Sequence, residues 1–173
     1  MNTVRFSLIM SVTLLVAGIG ITYAGNPHGL HEPSDSQPVN GTKVPPGTLG
    51  PAETVDRFFQ LLAAGDVKGA SALLDPQVLI FESGSVERSR EEYAAHHLGE
   101  DAEFLKSAKY RMLARSGDSA GDLAWVATEA QLETESHDKR IDLVTTETMI
   151  LRKDDDGWRI VHIHWSSRKG VKR

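Results

Sequence analysis

The last predicted strand constrains the fold more than any other stretch. Residues 158–167 alternate in character and follow a turn of three aspartates and a glycine. Strict alternation places Ile160, His162 and His164 on one face and Trp165 on the other. Large apolar side chains occur on both faces, so we expect the strand to be covered on both sides. Alternation shows that the two histidines share one face of the strand, but it does not decide which face of the sheet that is.

The first 24 residues are typical of a secretory signal peptide. Residues 1–5 are short and basic, residues 6–21 are apolar and uncharged, and Ala24 is a small residue at the expected cleavage position. The alternative is an uncleaved membrane anchor, because the apolar run is only slightly shorter than the roughly 20 residues that span a bilayer. Cleavage after Ala24 predicts a periplasmic or secreted protein with no membrane attachment.

Composition excludes several classes of function. The chain has no cysteine, so it has neither disulfides nor a thiol nucleophile. The net charge of −5 becomes −6 when Arg5, the only charged residue of the leader, is removed with it. An acidic chain of this kind does not suit a nucleic-acid partner. The one basic cluster, residues 168–173, is typical of a solvated chain end.

We predict one domain, from residue 51 to residue 173, after a flexible linker over residues 25–50. The linker is rich in Pro, Gly, Ser, Asn and Thr, with few large apolar residues. Pro51 opens a helix whose apolar side chains recur at helical spacing. The members of that face are Val55, Phe58, Phe59, Leu62 and Ala63. We expect Phe59, and Trp158 of the last strand, to be fully buried.

The remaining elements predict an α+β domain. Gly65 ends the first helix and Asp66 caps a short second one. A strand over 78–82 is followed by a helix with a capping box, in which Ser89 precedes Glu92 by three residues. Four long strands are then expected at 109–115, 123–134, 141–152 and 158–167, with turns at 117–118, 136–138 and 156–157. Loops this short make neighbouring strands antiparallel, in one strongly curved sheet wrapped around the N-terminal helices.

Several segments carry a family resemblance. They are the turn Ala64-Gly65-Asp66, the ending from Gly157 to Ser166, and residues 81–84 with 91–98. With the order of the elements, they resemble the SnoaL-like, nuclear transport factor 2-like superfamily, and in particular an exported bacterial branch. The resemblance covers about residues 51–167 and implies a cystatin-like cone. This fold serves isomerases, dehydratases, cyclases, kinase association domains and binding proteins, so it does not specify one function.

The resemblance implies a pocket between the concave face of the sheet and the helices. A histidine beside a carboxylate can exchange a proton near neutral pH, so titratable groups are the natural candidates for its wall. The predicted ligand-binding residues are Glu82, His96, His97, His162, His164 and Trp165. Glu129 and Glu147 are further acidic candidates. No catalytic residue is assigned.

Two alternatives compete with a pocket role for the histidines of the last strand. If Ile163 and Trp165 face the cone, His162 and His164 lie on the other face of the sheet, where they bond neighbouring strands or meet a partner subunit. The second alternative is a mixed nitrogen and oxygen metal site formed with Glu82. No short-spaced ligand motif occurs in the sequence, so we predict neither a metal nor a cofactor.

Two classes of function remain. The first is a small-molecule-binding protein, with isomerase or dehydratase chemistry as a variant. The second is a non-catalytic accessory domain that associates through its sheet and whose cone is filled by aromatic rings. Those rings would be Phe58, Phe59, Phe81, Tyr93 and Phe104. The last strands are apolar on both faces while helices cover only one, which predicts a homodimer.

Overall fold

The computed structural model describes residues 42–136 and 139–170. The predicted signal peptide and the linker up to residue 41 lie outside this range. The described residues form α-helices, a short 3₁₀ helix (Pro46–Thr48) and strands. In chain order these are β1 (Thr42–Lys43), α1 (Leu49–Ala63), α2 (Val67–Ala72), β2 (Leu74–Glu82), β3 (Ser85–Glu87), α3 (Arg90–His96), α4 (Leu98–Ser107), β4 (Lys109–Ala120), β5 (Leu123–Ser136), β6 (Lys139–Asp154) and β7 (Gly157–Lys169).

The strands form one sheet in the order β1-β4-β5-β6-β7-β2-β3. Strands β4 to β7 are consecutive antiparallel neighbours, as predicted, and β2 joins β7 in parallel. The helices pack on the inner face of the sheet, and most of the buried apolar side chains lie between the two layers. The predicted α+β class and the curved sheet wrapped on helices are therefore confirmed.

The ordered domain begins before Pro51. Strand β1 pairs with β4, and Thr48 in the 3₁₀ helix is completely buried. Composition predicted a flexible linker up to residue 50, because it does not register the pairing of a two-residue strand with a sheet edge. The linker prediction therefore does not hold for residues 42–50.

The helical hairpin of α1 and α2 follows the sequence closely. Gly65 adopts a φ of 76° after α1, and the Asp66 carboxylate accepts a hydrogen bond from the Gly69 N–H at 2.8 Å, which caps α2. The buried face of α1 is rotated slightly from the predicted one. Phe58 is fully buried, but Phe59 is only half-buried and Ala63 is exposed. Trp158 in β7 is also half-buried, which corrects its predicted full burial.

The helix predicted after Ser89 is broken into α3 and α4 at His97. The capping box is present, since the Ser89 hydroxyl accepts from the Glu92 N–H at 3.0 Å, while the Glu92 carboxylate accepts from the Arg88 N–H at 2.7 Å. The break changes the relative direction of the side chains before and after His97. This change places Asp101 of α4 beside Tyr93 of α3.

The predicted turn at residues 117–118 is wrong. Gly117 lies inside β4 opposite Val126, and the turn to β5 falls at residues 121–122, where Gly121 has a φ of 61°. A Cβ at Gly117 would lie 2.8 Å from the Trp125 carbonyl oxygen and 3.1 Å from Cγ2 of Thr48. Glycine is therefore required here mainly by the close approach of the Trp125 backbone in β5, with Thr48 of the 3₁₀ helix also in the way. Close approach of another backbone is a common reason for glycine in a strand.

A β-bulge in β7 breaks the strict alternation that the sequence predicted. The pairing with β6 shifts between Ile160 and His162, so one extra residue lies on β7. Ile160 and Ile163 are both buried in the core. His162 and His164 lie on the outer face, and the predicted grouping of Ile160 with the histidines is wrong.

None of the helices within residues 42–136 and 139–170 combines the length and the apolar composition needed to cross a bilayer.

Candidate functional site

A cavity lies between α1, α4 and the inner face of β4 to β7. Glu82 and Ser83, at the end of β2, lie at its rim together with the exposed Ser166 and Ser167. The space open to the centres of water-sized molecules is about 80 Å³. One water needs roughly 10–15 Å³ by this measure, so the cavity has room for several waters or one small organic molecule.

The cavity wall is mostly apolar and partly aromatic. The large apolar side chains that line it are Phe59, Leu62, Phe104, Leu105, Leu132 and Trp165. Phe59 stacks on Tyr110 with ring centroids 5.9 Å apart and contacts Trp165 at 6.5 Å. Of the five rings predicted to fill the cone, Phe58 and Tyr93 are fully buried, whereas Phe59 and Phe104 form the cavity wall. Phe81 lies on the outer face, against His162 and His164.

Glu147 of β6 is the acidic group on the sheet side of the cavity. Its side chain is 8% exposed, and Trp165 Nε1–H donates to its Oε2 at 2.9 Å. Burial raises the pKa of Glu147 to about 7, although the Trp165 hydrogen bond opposes the increase. Its other oxygen, Oε1, has no hydrogen-bond partner among the described residues.

Asp101 of α4 and Glu82 at the end of β2 are the other acidic groups that line the cavity. The Tyr93 hydroxyl donates to Asp101 Oδ2 at 2.5 Å, and both side chains are buried. Burial, together with the negative charge of Glu82, holds the pKa of Asp101 well above its usual range. Burial also raises the pKa of Glu82 to about 7, against the opposing influence of His97. Asp101 Oδ1 accepts no hydrogen bond from any residue that the structure describes.

The cations nearest to these acids already have partners. Arg115 is 4% exposed, and its guanidinium donates to Asp56 Oδ1 at 2.6 Å and to Thr128 Oγ1 at 3.2 Å. His97 Nδ1 contacts Glu87 Oε1, and that carboxylate is also buried. The charged side chains that line the cavity itself are Glu82, Asp101 and Glu147, all of them acidic.

The structure separates the predicted site residues. Glu82 and Trp165 line the cavity, whereas His96 is exposed and His97 contacts Glu87 beside the cavity. The predicted convergence of these groups with the histidines of β7 does not occur.

His162 and His164 lie on the outer face of the sheet. His162 Nδ1–H donates to the Leu79 carbonyl oxygen at 2.7 Å, and Phe81 meets the two imidazoles edge-on at centroid distances of 5.2 and 6.1 Å. Glu129 is exposed on the same face, whereas Glu147 lies in the cavity as predicted. A metal site shared by Glu82 and these histidines would have to span the sheet. In the parts of the chain that are described, no three His, Asp or Glu side chains are arranged to hold an ion.

Asp101 is the site residue that sequence reasoning missed. In a continuous α-helix, Tyr93 and Asp101 would be about 12 Å apart along the axis and about 80° apart around it. The break at His97 brings them into direct contact. An aspartate in the first turn of a helix is also expected from the helix dipole alone, so its sequence position did not distinguish it.

Comparison with known proteins agrees with the fold of this domain. The sequence profile of the SnoaL-like domain matches residues 52–168, which is most of the chain. No curated protein matches the sequence. A candidate ketosteroid isomerase from Shewanella frigidimarina is 32% identical, with a TM-score of 0.66, and the match covers 72% of this chain and 100% of that one.

More distant structures share the fold. A candidate dehydratase from Streptomyces avermitilis is 16% identical, with a TM-score of 0.63 and coverage of 72% of this chain and 97% of that one. The CaMKII hub of S. rosetta is 21% identical, with a TM-score of 0.57 and coverage of 69% and 95%. The profile match and the Shewanella protein together show that this chain belongs to the SnoaL-like family of the nuclear transport factor 2-like superfamily.

Proposed function

We propose that the domain binds a small, largely apolar molecule in the cavity and holds a polar group of that molecule with its buried carboxyl groups. One observation carries the proposal. Asp101 Oδ1 and Glu147 Oε1 are both buried at the cavity wall without hydrogen-bond partners in the described part of the chain. Leaving buried polar atoms unsatisfied is costly, and a ligand with polar groups at these positions would offset that cost.

The rest of the wall supports the same conclusion. Small-molecule sites are concave, mostly apolar, and contain a few polar groups that fix the orientation of the ligand. Here the aromatic side chains of α1, α4 and β7 supply the apolar surface, and three carboxyl groups supply the polar contacts. Binding in this cavity suits the family relationship, since the Shewanella relative is described as a candidate enzyme acting on ketosteroids.

Filling the cavity with a larger side chain should weaken ligand binding. The probe is 2-phenylethanol, and the readout is the indole N–H resonance of Trp165, which lies at the cavity wall. We expect a saturable shift of this resonance in the wild type. Ala130 is 2% exposed and lines the cavity, so Ala130→Leu should weaken binding by about tenfold or more, because its side chain occupies ligand space.

Ala127→Leu is the matched control. Ala127 lies three residues earlier in β5, on the outer face, opposite Thr148 of β6. The same enlargement there should leave the affinity within about twofold of the wild type. Equal binding to wild type and Ala130→Leu would place the probe elsewhere and would refute a ligand site in the cavity.

Proton transfer within the same cavity is a second candidate function. It is favoured by Glu82 and Glu147, because burial raises the pKa of each to about 7, so both groups can release and accept protons near neutral pH. A small ketone such as cyclohexanone, incubated in D₂O with the protein, should exchange the hydrogens next to its carbonyl faster than in buffer, as measured by mass spectrometry. Glu147→Gln and Glu82→Gln should each reduce that rate by about 10²-fold or more if both carboxyls act. Exchange no faster than in buffer would leave binding as the function.

The outer face of the sheet supports self-association as a separate property. Trp125 is 42% exposed and Phe81 is 37% exposed, and Ile150 lies between them on β6. The helices cover only the inner face. The CaMKII hub shares this fold, and the association domain of C. elegans CaMKII does as well, with a TM-score of 0.56.

A homodimer through this face should be detected by light scattering at tens of micromolar protein. Ile150→Glu places a charge at the centre of the outer face and should convert the dimer to a monomer. Val67→Glu is the matched control, because Val67 is 38% exposed on α2, away from the sheet. A wild-type monomer, or a dimer that Ile150→Glu leaves intact, would contradict association through this surface.

A further inference from the structure

We propose that the ligand of the cavity is an organic ammonium ion, a protonated amine carried on an aromatic or aliphatic body. This inference rests on the proposed function, since it assigns the chemical class of the molecule that the cavity binds. It follows from the charge, the hydrogen-bonding capacity and the aromatic content of the wall.

The charge of the cavity wall has one sign. The ionisable carboxyl groups at the wall are Glu82, Asp101 and Glu147. The neighbouring Arg115 is already bound to Asp56 and Thr128, and His97 is in contact with Glu87. A buried group of acids that is not matched by a cation destabilises the free protein, and a cationic ligand would relieve that cost. An anionic ligand would increase it.

The hydrogen-bonding capacity of the cavity carboxyls also favours an ammonium ion as the ligand. The Tyr93 hydroxyl occupies Asp101 Oδ2 at 2.5 Å, which leaves Oδ1 as an acceptor without a partner among residues 42–136 and 139–170. Glu82 and Asp101 both line the cavity, so a single ligand group can reach both carboxyls. A primary ammonium carries three N–H donors and no acceptor, and can bond both carboxyls at once. An alcohol offers a single donor.

The aromatic wall suits the same ion. Phe59, Phe104, Tyr110 and Trp165 line the cavity, and aromatic faces attract ammonium groups. The stacked rings of Phe59 and Tyr110, with centroids 5.9 Å apart, would also pack against the organic body of the ligand. The pKa values are consistent with this role, because burial raises the pKa of Glu82 to about 7 and a bound cation would lower it again. Binding should therefore release a proton near neutral pH.

Calorimetry with three probes of similar shape tests the inference. The probes are 2-phenylethylamine, which is cationic at neutral pH, 2-phenylethanol, which is neutral, and 3-phenylpropionate, which is anionic. At pH 8 we expect the amine to bind about tenfold or more tightly than the alcohol and the anion to bind most weakly. Between pH 6 and pH 8 the affinity for the amine should rise about tenfold, while that for the alcohol should not rise.

Charge-removing variants locate the ammonium. Glu82→Gln and Asp101→Asn should each reduce the preference for the amine over 2-phenylethanol by about tenfold, because each variant removes a carboxylate that the ammonium binds. Glu103→Gln is the matched control, because Glu103 is an exposed residue of α4 that pairs with Lys106 at 3.9 Å, outside the cavity. It should leave all three affinities unchanged.

The outcomes separate the inference from the proposed function. If the alcohol binds as tightly as the amine, or if the preference for the amine survives both Glu82→Gln and Asp101→Asn, the ligand is not an ammonium ion but the cavity remains a binding site. If none of the three probes binds, the proposed function fails together with the inference.

Discussion

Glu147→Gln should stabilise the domain at pH 8 by about 2–3 kcal/mol and change its stability little at pH 5. The Glu147 carboxyl is almost completely buried, and burial raises its pKa from 4.5 to about 7. At pH 8 the folded protein must hold a buried carboxylate, whereas the unfolded chain holds it in water. A shift of this size costs about 3 kcal/mol at alkaline pH, by the equivalence of one pKa unit to about 1.4 kcal/mol. Glutamine removes the charge and keeps an oxygen that can accept from Trp165.

The same linkage determines how the stability of the wild type depends on pH. Between pH 4.5 and pH 7 the folded state binds more protons than the unfolded state, because its pKa values for Glu147 and Glu82 are raised. The free energy of unfolding should therefore fall as the pH rises through this window and level off above pH 7. Asp101 acts in the same direction, since its pKa is also raised. Glu82 is only half-buried, so its contribution should be smaller than that of Glu147.

Urea unfolding at pH 5, 6, 7 and 8 measures both effects. Glu129→Gln is the matched control, because Glu129 is an exposed glutamate on the outer face of the adjacent strand β5. The free energy of unfolding of Glu129→Gln should equal that of the wild type at every pH, while that of Glu147→Gln should depend less on pH. A wild-type stability that rises from pH 5 to pH 8 would mean that the cavity carboxyls are hydrated and ionised in the folded protein, and the account of the site would fail with it.

Local patterns in the sequence predicted the fold well because they act over a few residues. The cap of α2 at Asp66 and the capping box at Ser89 are formed by groups within four residues of each other, and both are present. The antiparallel order of the last four strands follows from short loops in the same way. Gly117 shows the limit of this reasoning. A Cβ there would meet the Trp125 carbonyl oxygen of the paired strand and Cγ2 of Thr48 in the 3₁₀ helix. These approaches arise only when the elements pack, so the local pattern predicts a turn instead.

The site was predicted less completely because it depends on two irregularities that local patterns do not specify. The bulge in β7 shifts its pairing with β6 by one residue between Ile160 and His162. After the bulge, His162 and His164 lie on the outer face of the sheet and Trp165 lines the cavity. The break at His97 brings Asp101 against Tyr93, which a continuous helix would keep apart. Both irregularities arise from the packing of the helices on the sheet, and they determine the positions of Trp165 and Asp101 at the cavity.

Phe58→Ala should reduce the free energy of unfolding by about 3–5 kcal/mol, the usual cost of deleting a fully buried phenylalanine ring. Phe58 is 0% exposed in α1. Its ring stacks on Trp165 at a centroid distance of 6.4 Å and meets Phe59 edge-on at 5.8 Å. Its removal would leave a hole behind the cavity wall that these neighbours cannot fill without moving. Because Trp165 binds Glu147, we also expect weaker binding of 2-phenylethanol.

Phe81→Ala is the matched control for Phe58→Ala. Phe81 has the same side chain, but it lies on the outer face and is 37% exposed. Among the aromatic rings of the described residues, its ring contacts those of His162 and His164, both edge-on. A partly exposed ring loses less apolar burial when it is deleted, so we expect a cost of about 1 kcal/mol in denaturant unfolding of the monomer. Equal losses for the two variants would mean that the inner and outer faces of the sheet are equally covered. That result would argue for a dimer so tight that Phe81 is as buried in solution as Phe58.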